Sequence, residues 1–191
     1  MPRRTDTRQR MLDTAAALFR TKGYHATGLN QLVSAGGAPK GSVYFHFPGG
    51  KEQLATEALD AAARHLCERL REIFTGTAST AEAIDTVVET LGAELLASDF
   101  QRGCPLATVA LEATDSEPIR QSCAAGYLSW QEVVTDHLAG QGIDRERASS
   151  LAGVAIAGIE GGLLLARTQR DLEPLRTVGR HLRATLDKEF S

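Results

Sequence analysis

The chain has 191 residues, 42% of them hydrophobic, with 21 Lys and Arg against 24 Asp and Glu and a formal net charge of −3. That apolar content supports a packed core and excludes wholesale disorder; the length allows one or two domains, and the acidic balance excludes a protein that coats nucleic acid over its whole surface. The sum hides two opposite parts. Residues 1–51 hold Arg3, Arg4, Arg8, Arg10, Arg20, Lys22, Lys40 and Lys51 against Asp6 and Asp13, a net +6, and the remainder carries −9.

The hydrophobic period is helical almost throughout, and about nine helices with no strand are expected. In the first, Met11, Leu12, Ala15, Leu18 and Phe19 share a face, and Gly23 supplies the stop. Thr27 is expected to cap a short second helix whose inward residues are Leu29, Leu32 and Val33. After a glycine-rich turn, Pro39 opens a third short helix that Pro48-Gly49-Gly50 terminates. A long helix follows from Lys51 to Phe74, with Leu54, Ala58, Leu59, Leu66 and Leu70 inward. Ser79 and Glu82 form a capping box for the next, whose stripe includes Ile84, Val88, Leu91 and Leu95. A short helix starts at Pro105; a further one begins near Asp115–Pro118 and ends at Gly140. Asp144 caps a glycine-rich helix reaching about Arg170, and Pro174 opens the last, with Leu175, Val178, Leu182 and Leu186 on one side.

The segment after Met1 is charged, so no secretory signal is expected. The most apolar stretch, Leu151 to Ala166, is broken by Glu160 and four glycines and falls short of the ~20 apolar residues of a spanning helix. Three widely spaced cysteines, Cys67, Cys104 and Cys123, with no CxxC pair argue against a disulfide scaffold or zinc site. The expected compartment is the cytoplasm, with no membrane partner, cofactor or metal.

The third helix carries the most chemistry. Val43 and Phe47 are four apart and share one face; Lys40 and Tyr44 share another. With Val43 and Phe47 buried against Leu32 and Phe19, Lys40 and Tyr44 point outward, and Gly41 and Ser42 keep the helix start slim. A slim, basic helix end after a short helix and a tight turn is what a helix-turn-helix unit brings to a major groove. The helix starts at Thr27 and Lys51 offer N–H groups suited to phosphate oxygens.

The run from Gly36 to Lys51, GGAPKGSVYFHFPGGK, resembles the signature of TetR-type transcriptional regulators, and GAPKGSVYFHFPGGKEQLATEAL resembles their LmrA/YxaF-like branch. The similarity is dense from about Arg8 to Ala62 and returns at Gly103–Ala107 and Ile159–Arg167; Gly37 departs from the aliphatic residue of many relatives. The resemblance implies an all-α fold with a helix-turn-helix head over 1–50 and a ligand-binding and dimerisation body over 51–191. It places Pro39, Lys40, Gly41 and Ser42 nearest the base edges, Tyr44 and His46 on the backbone or a thymine methyl, and Thr27, Gly28 and Lys51 on phosphates. Arg3 and Arg4 are a candidate minor-groove arm, whereas Arg8 and Arg10 read as helix-surface charges.

Reading a palindrome needs two heads about 34–36 Å apart, so the body is expected to dimerise. Ala152, Ala155, Gly158, Ile159 and Gly162 form a small-residue face that, with Leu175, Val178 and Leu182, is the candidate interface; packing of the same face within one chain is the alternative. The resemblance also implies an apolar or aromatic small-molecule effector. Cys67, Leu70, Phe74, Leu91, Leu95, Leu106, Val109, Tyr127, Trp130, Val134 and Ile159 are its candidate contacts, each of which also suits plain core. Glu160 pairs with Arg167 or Arg102, or faces a ligand; the sequence does not choose. The expected function is a homodimeric, ligand-released DNA-binding repressor and not an enzyme. Redox sensing by Cys104 or Cys123 is an alternative. A cysteine enzyme is disfavoured, because His65 and Cys67 point to different sides of one helix and no catalytic fingerprint appears.

Overall fold

The helical period is realised along the described residues. A computed structural model describes residues 4–37, 41–113 and 115–189, and these form nine α-helices and no strand. They are α1 (Arg4–Lys22), α2 (Leu29–Ala35), α3 (Ser42–His46), α4 (Gly50–Gly76), α5 (Thr80–Ala97), α6 (Pro105–Glu112), α7 (Glu117–Gly140), α8 (Arg145–Gln169) and α9 (Glu173–Leu186).

Two helix starts, those of α5 and α8, follow from side-chain capping. Ser79 Oγ accepts the Glu82 N–H at 3.1 Å, and the Glu82 carboxylate accepts the Ala78 N–H at 2.7 Å, one residue ahead of the cap itself. Asp144 accepts the N–H groups of both Glu146 and Arg147 at the start of α8. Thr27 differs from expectation. The N-cap of α2 is Gly28, and the Thr27 hydroxyl turns back to donate to the Gly23 carbonyl at 2.7 Å.

The helices fall into two compact units, divided inside α4 after Arg64 and inside α7 after Tyr127. One holds the residues up to Arg64 with Cys104–Tyr127; the other holds His65–Gly103 and the residues from Leu128 onward. This is not the 1–50 and 51–191 partition. The first half of α4 buries Leu54, Ala55, Ala58 and Leu59 with the head, and α6 packs on α1. In this first unit Met11, Ala15, Phe19, Leu32, Val43 and Phe47 are fully buried. Leu106 of α6 fills the space above Gly126 of α7, where Ala63 of α4 also comes close.

In the second unit Val88, Leu95, Leu163, Ala166, Leu172 and Leu175 form one cluster, with Ile84, Leu91, Phe100 and Ile159 packed against it. Leu138, Ile143, Ala148, Leu151 and Leu186 form another. Here the small-residue face of α8 meets α9 of the same chain. A Cβ on Gly162 would lie 3.2 Å from the Leu175 Cα, and one on Gly158 would lie 3.2 Å from Val178. Ala152, Gly162, Leu175 and Leu182 are accordingly buried within one chain, while Ala155, Gly158, Ile159 and Val178 stay half-buried. By length and composition α8 is the one described helix able to cross a membrane. Here Leu163 and Ala166 on α8 are buried in the first of these clusters.

Candidate nucleic-acid interface

The first unit presents a short helix whose sides are set by its sequence. Val43 and Phe47 are buried, one turn apart, while Tyr44 and Phe45 are each 62% exposed. His46 is half-buried, edge-on to Phe45 with ring centroids 5.0 Å apart. A surface groove bounded by Gly28, Leu29, Asn30, Val33, Val43 and Tyr44 runs beside α3. Gly41 is the N-cap, so the helix starts at Ser42. Arg3, Pro39 and Lys40 lie outside the described residues, as do the side chains of Arg4 and Ser42.

Two arrangements flank this helix. At its C-terminal side, the Gln53 carbonyl accepts the Gly49 N–H at 2.8 Å, and the Gln53 amide donates to Glu57 at 2.9 Å. Glu57 is ion-paired to Arg8, whose guanidinium stands 5.1 Å over the Phe47 ring. Arg8 is therefore a tie between α1, α4 and the end of α3, not a plain surface charge. Lys51 Nζ stands 4.1 Å over the Tyr24 ring. Burial lowers the Lys51 pKa, and the Glu112 carboxylate partly offsets this. The Tyr24 hydroxyl is shifted up by burial, with Glu52 and Asp115 adding to it.

The predicted contact residues separate accordingly. Gly28, Gly41 and Tyr44 are exposed and His46 and Lys51 half-buried, all in the first unit. Thr27 is fully buried with its hydroxyl engaged, so its side chain holds the turn and does not reach a phosphate. Three participants escaped sequence reasoning: Phe45, Tyr24 and Glu112. Phe45 was readable, since it lies off the Val43–Phe47 face; Tyr24 and Glu112 meet their partners across the fold.

The candidate effector contacts do not gather in one unit. Leu106, Val109 and Tyr127 belong to the first; Cys67, Leu70, Phe74, Leu91, Leu95, Trp130, Val134 and Ile159 belong to the second. Leu95 and Ile159 are part of the α5–α8–α9 core. Phe74 is half-buried and stacks on His137 at 4.1 Å and 10° between ring planes, and the His137 ring nitrogen is 3.2 Å from the Thr80 hydroxyl. Cys67 lies 3.3 Å from the Ser129 hydroxyl. Cys123 is buried against the Leu106 carbonyl, and burial with the nearby Asp60 charge pushes its thiol up to about 11. Such a thiol is a poor redox sensor, because the thiolate is the reactive form.

The geometry has counterparts in known proteins. Residues 11–58 match the family described as bacterial regulatory proteins, tetR family, and residues 80–181 match the transcriptional regulator LmrA/YxaF-like C-terminal domain. The HTH-type transcriptional regulator LmrA of Bacillus subtilis (strain 168) is 37% identical over 171 residues, covering 89% of this chain and 91% of that protein. The HTH-type regulator YxaF of the same organism is 35% identical over 190 residues, covering 99% and 100%. A TetR transcriptional regulator from Legionella pneumophila superposes with a TM-score of 0.81 at 25% identity, covering 97% and 98% of the two chains.

Proposed function

The chain belongs to the TetR family of DNA-binding transcriptional regulators, in its LmrA/YxaF-like branch, and from that premise we propose that it is a cytoplasmic repressor that grips a palindromic operator as a homodimer and leaves it when a small apolar or aromatic molecule binds. The observation that carries the reading is α3. It exposes Tyr44 and Phe45 while burying Val43 and Phe47, inside the segment that carries the positive charge. Pro39, Lys40, Gly41 and Ser42 lie nearest the base edges in this reading; Tyr44 and His46 meet backbone or thymine methyl groups. Gly28 and Lys51 face phosphates, with Arg3 and Arg4 as an arm.

In this reading the dimer contact lies on the outer face of α8. The inner face of α8 is spent on α9, but the outer face leaves Val154, Ala157, Leu164 and Leu165 exposed at helical spacing, with half-buried Gly161 among them. A row of exposed apolar residues on one helix suits a second copy of α8. Release requires that the effector bind the DNA-incompetent form better. A coupling of ~1–3 kcal/mol weakens operator binding roughly 5–150-fold. Phe74, Leu91, Val134 and Ile159 are the half-buried second-unit residues assigned to the effector in this account. Fluorescence anisotropy on a labelled duplex from upstream of its own gene tests the proposal. Saturable binding that unrelated DNA does not compete supports it, and absence of specific binding at low salt ends it.

A further inference from the structure

Glu112, the last residue of α6, holds the turn between α1 and α2 at three points. Its carboxylate Oε2 accepts the His25 N–H at 3.0 Å, and its backbone carbonyl accepts from His25 Nε2 at 2.9 Å. Because a carbonyl only accepts, Nε2 is the protonated ring nitrogen. The same carboxylate fills the space that a Cβ at Gly23 would occupy, and Gly23 has φ +81°. Four residues on, the Ser116 hydroxyl donates to Glu52 in the first turn of α4 at 2.7 Å. The α6–α7 junction therefore grips the chain on both sides of α2 and α3, before them at Gly23–His25 and after them at Glu52.

None of these contacts builds the head's core, which Met11, Phe19, Leu32, Val43 and Phe47 supply, and His25 itself is exposed. What they set is direction. We infer that Glu112 is a positioning residue for DNA recognition, fixing the α1–α2 turn so that α3 meets the operator at the required angle. The inference rests on the DNA-binding reading above.

The test compares wild type, Glu112→Ala, Glu112→Gln and His25→Ala. Each is measured by anisotropy on the upstream duplex and on an unrelated duplex, with hydrogen exchange followed over residues 23–27. Glu112→Ala is expected to weaken specific binding about tenfold, the order of one charge-assisted hydrogen bond, and to leave binding to unrelated DNA undiminished. His25→Ala, at an exposed site that does not threaten folding, is expected to lose about threefold by the same reasoning. Glu112→Gln keeps an oxygen to accept the His25 N–H, now in a neutral hydrogen bond, and is expected to recover affinity to within about threefold of wild type, a rescue that mere loss of stability would not show. Faster exchange over residues 23–27 in Glu112→Ala alone marks the released turn. Unchanged specific affinity in both Glu112→Ala and His25→Ala, in a protein whose wild type binds the operator, overturns the inference by itself. A wild type that binds no upstream duplex overturns the proposed function and the inference with it.

Discussion

Tyr44 and Phe45 face outward because Val43 and Phe47, one helical turn apart, take the inward side of α3. Tyr44→Ala and Lys40→Ala are each expected to abolish specific operator binding with the dimer intact by sedimentation; a monomeric Tyr44 variant would place that residue in the core. This spacing was readable from the sequence, since position four residues on is a local property of a helix. Thr27 was not. Its hydroxyl turns back to the carbonyl of Gly23, a residue at φ +81° beside the Glu112 carboxylate of α6, and that neighbourhood is not local in sequence. His137 carries a pH prediction. Burial lowers its pKa, so the folded state favours the neutral ring while the unfolded state binds more protons. Its contribution is therefore present in full above the unfolded value near 6.5 and is lost as pH falls through the lowered folded value. The melting temperature is expected to fall between pH 7.5 and 5.5, and His137→Gln to flatten that dependence in a calorimetric series.

At the scale of elements, α8 shows how one composition serves two faces. The glycines that suggested an interface between chains bring α9 within contact of α8, and the sequence alone left both outcomes open because close approach looks the same in either. Gly162→Val is expected to destabilise the fold by about 1–3 kcal/mol, since its side chain would press on the Leu175 backbone. Leu164→Glu combined with Leu165→Glu, on the exposed side, is expected to yield a monomer with unchanged helix content by circular dichroism. Retention of the dimer in that double variant would move the interface elsewhere. The caps at Ser79 and Asp144 and the stop at Gly140 were legible because their chemistry lies within four residues. The division inside α4 was not, because the helix continues unbroken past the residues that the head buries.

For the whole molecule, the net charge of −3 resolves into a positive segment and a negative remainder, part of which (Glu52, Glu57, Asp60, Glu112, Asp115 and Glu117) lies in the same unit as α3. The residues of the +6 segment that it describes all lie in the unit carrying α3. Association by such a head is an exchange of counterions for Lys and Arg, whereas the acidic remainder discourages binding elsewhere on the surface. Lys51 on Tyr24 and Arg8 on Phe47 show that some of this charge is held in place by rings before any DNA arrives. The most direct test is the salt dependence of operator binding by the wild-type protein, measured by anisotropy between 50 and 200 mM salt. If the two heads together neutralise about eight phosphates, log K falls linearly with log salt with a slope of about −7, while preference over unrelated DNA persists. Specific affinity that does not change with salt, or no specific affinity at 50 mM, would contradict the account.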